Sequence, residues 1–309
     1  MKAPATIPES PFVDLASHVV ALSSPRRVTP SAWRGLEPVA MYLIGLLRPR
    51  VFVELGTFSG QSYCAFCQAV QELNLDTSCF AIDTWQGDHH AGAYSQLVLE
   101  ELRAHHDKIY ASQSELIAAT FDEALPRFAD SSIDLLHIDG CHTYEAVGHD
   151  YQAWLPKMSR AGVMLFHDIA VKDRPDFGVH RFWEEIKPCH PHWELRFSHG
   201  LGILAVGADV PAGLHALLSL PPVAAEQLRE YFRRLGQLMW TLGDQQTELV
   251  EAKARIACLE QEARATQQEV CRLKQHYTAR RFQFADRVAQ WLLALPGLSL
   301  LTKATSHPK

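Results

Sequence analysis

The sequence has 309 residues, of which 47% are hydrophobic and 21% charged, and its formal net charge at pH 7 is -6. This length accommodates one α/β domain of ordinary size and an additional segment. The acidic balance argues against a nucleic-acid partner, which usually selects a basic surface. We therefore expect a protein that acts on small or neutral molecules.

The N-terminus and the cysteines predict a reducing compartment. The segment MKAPATIPESPF lacks the basic start and apolar run of a signal peptide, and no stretch reaches the ~18 to 20 apolar residues that span a bilayer. Seven cysteines without regular spacing do not indicate a disulfide framework. Cys64 and Cys67 have redox or zinc spacing, but they lie in a helical pattern without a second pair, which favours core packing. We expect a cytoplasmic protein.

Strands and helices alternate through the first two thirds of the chain. A loosely ordered leader over 1–30 precedes a helix over 31–47, which Ser31 caps and Pro49 ends. Strands are predicted at 51–55, 79–83, 133–139 and 163–168, with helices near 60–73, 95–106, 114–124, 144–154 and 179–187. Runs at 193–197 and 202–207 predict a hairpin-like ending with a terminal antiparallel strand. The domain over 31–210 is thus expected to be a doubly wound, mainly parallel, Rossmann-like α/β sheet.

A heptad repeat begins beyond the prolines at 211, 221 and 222 and predicts a coiled coil over 223–280. One series of core positions is Leu228, Leu235, Leu242, Leu249, Ile256, Ala263 and Val270. The second series is Tyr231, Leu238, Gln245, Ala252, Leu259, Thr266 and Leu273.

Flanking charges favour a parallel homodimer of this segment. In a parallel pair, Glu248 faces Lys253, Arg255 faces Glu260, and Glu269 faces Lys274 of the other chain. A solvated single helix, or one folded back on its own domain, is the alternative. The amphipathic tail over 281–309 places basic residues before an apolar cluster that would suit peripheral contact with a membrane or a protein complex, although local packing explains it equally.

The segment VFVELGTFSG predicts a cofactor-binding turn. It delivers Glu54 at the end of a buried strand and continues through Gly56 and Gly60, whose small size lets the backbone approach a ligand. Asp83 ends the next strand, where a carboxylate can hold both hydroxyls of a ribose. Together these residues indicate an adenosine-containing cofactor, which Trp85 would cover unless it is a packed loop aromatic. A purely structural turn is the alternative.

Two further strand ends carry acidic and imidazole groups. Asp139 leaves one strand, with His142 three residues later, and His167 and Asp168 leave the next. Because adjacent parallel strands end side by side, Asp139, His167 and Asp168 are predicted to bind Mg2+ or Mn2+. Such an ion lowers the pKa of a substrate hydroxyl, and His142 would remove its proton. A capping or core role is the alternative for each histidine, and His137 is expected in the core.

Residues from about 35 to 207 resemble the class I S-adenosylmethionine-dependent methyltransferases, particularly catechol-type and macrolide-sugar O-methyltransferases. The resemblance rests on the E-L-G-x-x-x-G turn, the D-G-x-H-x-Y-E-A-V run and the L-F-H-D strand end. It implies that S-adenosylmethionine contacts Glu54, Gly56, Thr57, Gly60, Asp83 and, on the adenine side, Ser114. In the metal-dependent relatives an acidic pair stands where this chain has His167 and Asp168.

The predicted function is transfer of a methyl group from S-adenosylmethionine to a hydroxyl of a sugar, glycoconjugate or secondary metabolite, with Asp139 and His142 as catalytic residues. Two alternatives stay open: a non-catalytic scaffold dimerised by the coiled coil, and an NAD-dependent sugar-modifying enzyme. The absence of GxGxxG and of a Tyr-x-x-x-Lys pair counts against the latter. Acceptor specificity is expected in the loops at 85–94 and 169–180.

Overall fold

Nine strands are present in the computed structural model, which describes residues 19–88 and 92–294. In chain order they are β1 (Val51–Leu55), β2 (Ser78–Asp83), β3 (Gly87–Asp88), β4 (Gly92–Ala93), β5 (Ser114–Ala118), β6 (Ile133–Ile138), β7 (Met158–His167), β8 (His192–Leu195) and β9 (Leu201–Ala205). Seven of them form one sheet in the order β5-β2-β1-β6-β7-β9-β8, and β3 pairs with β4. Strand β9 is antiparallel to both of its neighbours, β7 and β8. The pairings among β5, β2, β1, β6 and β7 are parallel. The predicted doubly wound sheet with an antiparallel final strand is confirmed.

Helices cover both faces of the sheet. They are α1 (Glu37–Leu47), α2 (Gln61–Glu72), α3 (Gln96–Ile109), α4 (Phe121–Ala124), α5 (Tyr144–Trp154), α6 (Val179–Ile186), α7 (Ala212–Leu218) and α8 (Pro222–Leu293). One apolar cluster joins the sheet to α1, α2, α3, α7 and the start of α8, and the other joins it to α4, α5 and α6. Alternation along β1 shows the division, because Phe52 belongs to the first cluster and Val53 to the second.

Two predicted helices are wrong in part. The first helix begins at Glu37, and Ser31 instead accepts a hydrogen bond from Trp33 N (3.1 Å) in the preceding turn. The helix expected near 114–124 is the strand β5 followed by the single helical turn α4. Its Leu, Ala and Glu content favours a helix by propensity. Parallel pairing with β2 decides the strand instead.

The described part of the leader packs against the domain, although it was predicted to be loosely ordered. Val20 and Ala21 are buried, and Arg26 N donates to Gln68 Oε1 (2.8 Å). Thr29 N donates to Gln61 Oε1 (2.7 Å). Residues 1–18 lie outside the described residues.

The described residues divide into two compact units between Asp244 and Gln245. The first unit extends beyond the boundary predicted at 210, because Leu228 and Phe232 on α8 belong to an apolar cluster of the sheet domain. The second unit contains the rest of α8, whose described side chains from Glu251 onward are exposed. No helix among the described residues is long and apolar enough to cross a membrane. Residues 295–309 of the predicted tail lie outside the described ranges.

Candidate functional site: two cavities at the strand ends

Two adjoining cavities open at the carboxyl ends of the parallel strands. The first has a volume of about 270 Å³ and lies against the turns that follow β1, β2 and β6. The second, of about 530 Å³, extends to the end of β7 and to the residues before α1. This edge of the sheet is where doubly wound folds bind ligands. Five residues line both cavities: Gly56, Phe58, Tyr94, Asp139 and His142.

The turn after β1 touches the turn after β6. Gly56 has a φ of 86°, and a Cβ there would lie 2.1 Å from the carbonyl oxygen of Asp139. Only glycine combines the left-handed backbone with so close an approach. Asp139 N also donates to Leu55 O (2.8 Å). The two contacts hold Asp139 in the wall that the cavities share.

Asp83 lines the first cavity and also shapes the turn after β1. One carboxylate oxygen accepts hydrogen bonds from Thr57 N (2.9 Å) and Phe58 N (2.8 Å), and the other accepts from Trp85 N (2.7 Å). A carboxylate offers about four acceptor positions, so Asp83 retains capacity for a ribose hydroxyl. The Trp85 ring is buried and donates its Nε1 to Phe58 O (2.9 Å), which makes it part of the turn's packing.

Glu54 lies beneath this turn in a buried hydrogen-bonded chain with His137 and Trp33. Trp33 Nε1 can only donate, so His137 Nε2, 3.3 Å away, is the acceptor. The His137 proton therefore resides on Nδ1, which donates to Glu54 Oε2 (2.9 Å). Burial raises the pKa of Glu54 and outweighs the hydrogen bond from His137 that lowers it. His137 is a core residue, as expected, and it also orients Glu54.

Glu54 and Gly60 do not line either cavity, although both were predicted to contact the cofactor. The Glu54 side chain is fully buried, and Gly60 is the N-cap residue of α2. Thr57, by contrast, lines the second cavity. Glu54 Oε1 is buried without a hydrogen-bond partner among the described residues. Both Glu54 and Gly60 thus support the turn from behind its ligand-facing surface.

The structure corrects the prediction for Ser114. This residue begins β5, so it lies at the amino end of its strand, whereas the cavities lie at the carboxyl ends. Its Oγ is 2.5 Å from Tyr63 Oη and 2.7 Å from His106 Nε2, away from both cavities. Thr120 and Phe121, which follow the other end of β5, line the first cavity instead.

Two carboxylates and three imidazoles meet in the second cavity. His142 Nε2 lies 2.9 Å from Asp168 Oδ2 and 3.8 Å from Asp139 Oδ1. His199 Nδ1 lies 2.9 Å from Asp168 Oδ1, and His167 Nδ1 lies 3.0 Å from Asp139 Oδ1. The fold therefore brings the predicted Asp139, His142, His167 and Asp168 together, and it adds His199.

His167 is a buried cation rather than a metal ligand, which corrects its predicted role. Its Nε2 donates to Ser198 O (3.1 Å), and its Nδ1 faces the Asp139 carboxylate, so both ring nitrogens carry protons. Burial disfavours this charge, but the carboxylates of Asp168 and Asp139 outweigh burial and raise the pKa of His167 well above its ordinary value. With both nitrogens engaged, the ring has no lone pair for a metal.

The remaining residues of the cluster fit a divalent ion. One ligand atom from each of Asp139, His142 and Asp168 lies within 4.8 Å of the other two. The two carboxylates, and not His167, would hold the ion, and their oxygens suit Mg2+ or Mn2+. His142 would lie beside the ion, because an imidazole nitrogen that binds a metal cannot also accept a proton.

His142 is held between the carboxylates and an aromatic ring. Its imidazole is parallel to the Phe177 ring, with centroids 4.5 Å apart and an interplanar angle of 1°. Burial disfavours the imidazolium, but hydrogen bonds to Asp139 and Asp168 and their charges raise the pKa of His142 to about 10. Without an ion, His142 is therefore protonated at neutral pH. A cation bound to the two carboxylates would offset their charge and favour the neutral imidazole that a general base requires.

We expect the free energy of unfolding to fall between pH 7 and pH 9.5 partly because of His142. The folded pKa of about 10 exceeds the ordinary value of 6.5, so this contribution is complete below pH 6.5 and is lost as pH rises toward 10. In the presence of EDTA, His142→Gln should make this fall in the free energy of unfolding between pH 7 and pH 9.5 smaller by roughly 1 to 3 kcal/mol. Urea denaturation at the two pH values measures the difference. His276→Gln, at an exposed histidine of α8, is the control. Equal declines for the wild type and His142→Gln would contradict the pairing.

Left-handed backbone positions frame the cluster. Asp168 has a φ of 62°, and Ser198, His199 and Gly200, between β8 and β9, have φ values of 50°, 65° and 92°. Such conformations are costly for residues other than glycine and persist where surrounding contacts enforce them. Ala170 N donates to His199 O (2.8 Å), which ties the 198–200 turn to the end of β7.

The part of α8 from Gly236 to Asp244 supports this turn from outside. Ser198 Oγ donates to Arg34 O (2.7 Å), and the Arg34 guanidinium pairs with Asp244 (2.6 Å) and donates to Trp240 O (3.1 Å). Beside Arg34, a Cβ added to Gly236 would lie 2.0 Å from Gly35 O. Contacts thus run from α8 through the 34–35 segment and Ser198 to His167.

We expect Gly236→Ala to lower kcat roughly 10- to 100-fold while the affinity for the cofactor stays unchanged. The added Cβ must displace α8 or the 34–35 segment, and small displacements of catalytic groups have effects of this size. Gly243→Ala is a matched control seven residues later in α8, because a Cβ there would come no closer than 3.4 Å to another atom. Steady-state kinetics and calorimetric titration check the prediction, and equal kcat values for the two variants would contradict it.

The residues of the second cavity that were not singled out from the sequence include His199, Arg174 and Phe177. His199 reaches Asp168 only because the β8–β9 hairpin pairs with β7. Arg174 lies over the Phe177 ring, with its guanidinium carbon 4.9 Å from the centroid. The sequence offered one signal for Arg174 and Phe177, because both lie in the loop at 169–180 in which acceptor specificity was expected.

The turn after β1 and both acid-bearing strand ends fall inside one family match. Residues 53–169 match the family model described as a methyltransferase domain. This segment is therefore similar to methyltransferase domains. The matched range contains Gly56, Asp83, Asp139, His142 and Asp168. It therefore includes the residues of the wall that the two cavities share.

The chain is also similar to a curated relative. The chain is 44% identical over 222 residues to the uncharacterised protein y4gI of Sinorhizobium fredii. The match covers 71% of this chain but only 24% of that protein, so the chain spans about a quarter of the relative's length.

Two solved structures resemble the chain at low identity. The O-methyltransferase TomG from Streptomyces achromogenes, in complex with SAM, is 17% identical, with a TM-score of 0.43 over 63% of this chain and 90% of that one. An O-methyltransferase from Bacillus cereus, in complex with SAH, is 14% identical, with a TM-score of 0.43 over 65% and 93% of the two chains.

Proposed function

We propose that this chain transfers a methyl group from S-adenosylmethionine to a hydroxyl oxygen. The observation that carries the proposal is the position of His142 and Asp139 in the wall common to the two cavities. A methyl donor in one cavity and an acceptor in the other would meet at this wall. The methyltransferase family match over the same residues supports the choice of donor.

The first cavity suits the adenosine part of the donor. Asp83 offers its remaining acceptor capacity to the ribose hydroxyls, and the Phe121 ring offers an apolar face to adenine. The sulfonium end would extend past Gly56, where the absence of a side chain leaves the backbone accessible. This arrangement directs the reactive methyl group toward the second cavity.

The chemistry requires a base beside the acceptor oxygen. Neutral His142 takes the hydroxyl proton, the oxygen forms a bond to the methyl carbon, and the carbon–sulfur bond electrons return to sulfur, which leaves as a neutral thioether. Asp168 accepts a hydrogen bond from His142 and stabilises the imidazolium that forms. A divalent ion held by Asp139 and Asp168 would supply positive charge that lowers the pKa of the acceptor hydroxyl and would leave His142 free to act as the base.

The second cavity favours a hydroxyl-rich acceptor, such as a sugar, a glycoconjugate or a glycosylated secondary metabolite. Its wall combines aromatic rings with hydroxyl and amide side chains that can exchange hydrogen bonds with sugar hydroxyls. The rings are Phe58, Tyr94 and Phe177, and the polar groups are Ser31, Thr57, Ser59, Gln61, Ser62 and Ser95. We place the reaction in the cytoplasm, where its seven unpaired cysteines would stay reduced.

An acceptor screen with S-adenosylmethionine tests the proposal. The full chain, with and without Mn2+, should form S-adenosylhomocysteine with sugar or glycoside acceptors, and the product should be an O-methyl ether by mass spectrometry. An acceptor whose target hydroxyl is already methylated is the matched control and should give no product. Failure to bind S-adenosylmethionine would contradict the proposal and favour the scaffold, whereas saturable NAD binding would favour the nicotinamide enzyme.

A further inference from the structure

The second compact unit presents an uncovered apolar stripe along α8. Core-position side chains remain largely exposed, with exposed fractions of 54% for Leu249, 57% for Ile256, 55% for Leu259 and 57% for Leu273. These side chains recur at the spacing of a coiled-coil seam. An exposed, mainly apolar stripe of this kind indicates an interaction surface.

The sheet domain already uses the first part of the heptad repeat. Leu228 and Leu235 are buried, and Phe232, between them, lies against Tyr42 with ring centroids 5.1 Å apart. Leu242, the next residue of that series, is 45% exposed. The sheet domain therefore covers the Leu228 and Leu235 positions, whereas Leu238 (54% exposed) and Leu242 are open to a partner.

We propose that residues 242–273 form a parallel two-stranded coiled coil with a second copy of this chain. The occupant is a second copy because the charges beside the seam complement themselves. In parallel register, Glu248 faces Lys253 of the partner, Arg255 faces Glu260, and Glu269 faces Lys274. Each pair occurs twice by symmetry, and none of these pairs joins like charges.

An antiparallel pair with the same core layers is less favourable electrostatically. It places Arg255 opposite Glu262 and Lys253 opposite Glu260, but it also brings Glu248 against Glu269. By symmetry the Glu248–Glu269 contact occurs twice in the antiparallel dimer, where the parallel dimer has the attractive pairs Glu248–Lys253 and Glu269–Lys274. The parallel arrangement avoids the like-charge contacts.

The polar core positions also favour the parallel arrangement. Gln245 and Thr266 each meet their own counterpart, so amide and hydroxyl groups can hydrogen-bond across the seam. The antiparallel arrangement places Gln245 against Val270 and Thr266 against Leu249. Polar groups buried against apolar side chains lose hydrogen bonds to water without replacement.

Sedimentation equilibrium of the full chain tests the association. The wild type should have twice the 34.7 kDa chain mass, and Ile256→Lys should be monomeric. Val250→Lys is the matched control, because Val250 is an exposed β-branched residue (61%) outside the seam, and it should stay dimeric. Near-UV circular dichroism checks that each variant keeps the sheet domain folded. A monomeric wild type at the highest soluble concentration, or equal dissociation by both variants, would overturn the proposal.

One charge reversal distinguishes the two orientations. In the parallel dimer, Glu248→Lys places like charges at the contact with Lys253 and should weaken association roughly threefold to tenfold. Adding Lys253→Glu should restore it. In the antiparallel dimer the same Glu248→Lys relieves the contact with Glu269 and should strengthen association. Strengthening by the single variant would therefore overturn the parallel orientation.

Discussion

Asp83→Ala is expected to weaken S-adenosylmethionine binding at least about 100-fold, because it removes two functions at once. The carboxylate holds the backbone amides of Thr57 and Phe58, which fix the turn after β1. It also lines the cavity proposed for the ribose. Hydrogen bonds to a charged group contribute about 1.5 to 3 kcal/mol each, so losing two accounts for an effect of this size.

Calorimetric titration of wild type and Asp83→Ala with S-adenosylmethionine measures this effect. Asp122→Ala is the control, because Asp122 is an exposed carboxylate that pairs only with His149 among the described residues. Asp83→Asn should bind at an intermediate level, since its amide keeps one acceptor oxygen. Wild-type affinity in Asp83→Ala would show that the cofactor does not occupy the first cavity.

His142→Ala is expected to lower kcat by about 10² to 10⁴-fold, the usual contribution of a general base. Cofactor binding should change little, because the residues that we propose for the adenosine side are Asp83 and those after β5. In the wild type without added metal, kcat should rise with pH toward the His142 pKa of about 10. This increase should be absent from His142→Ala.

Rapid-quench measurements of a single turnover, together with cofactor titrations, separate the chemical step from binding. His149→Ala is the matched control, because His149 lies on the adjoining helix α5 and its side chain is 60% exposed. An unchanged single-turnover rate in His142→Ala would exclude His142 as the base. It would direct attention to Asp139, which lies in the same wall.

The arrangement of the sheet followed from local sequence wherever periodicity and turn residues agreed. The strand 51–55 and the helix 144–154 were predicted with their observed bounds. The strand at Ser114–Ala118 was missed because its composition favours a helix, and only pairing with β2 overrides that preference. Its misassignment also placed Ser114 at the wrong end of the sheet.

The residues of the site also divide into those that the local sequence predicted and those that it did not. Asp139, His142 and Asp168 were predictable because they immediately follow neighbouring parallel strands, whose ends must meet at one edge. The roles of His167 and Glu54 were not predictable, since they depend on which atoms lie beyond each side chain. Ser198 O accepts a hydrogen bond from the second ring nitrogen of His167, and His137 Nδ1 donates to Glu54 Oε2.

The sequence by itself determined a doubly wound methyltransferase-like domain and a heptad-patterned helix, because both are encoded by local periodicity and strand-end residues. Only the tertiary structure decided that His199 joins the acidic cluster and that α8 contacts the Arg34–Gly35 segment behind it. It also decided that the sheet domain covers the first core positions of α8 and leaves the seam from Leu242 onward exposed. These features depend on contacts between residues far apart in the chain, which local patterns do not encode.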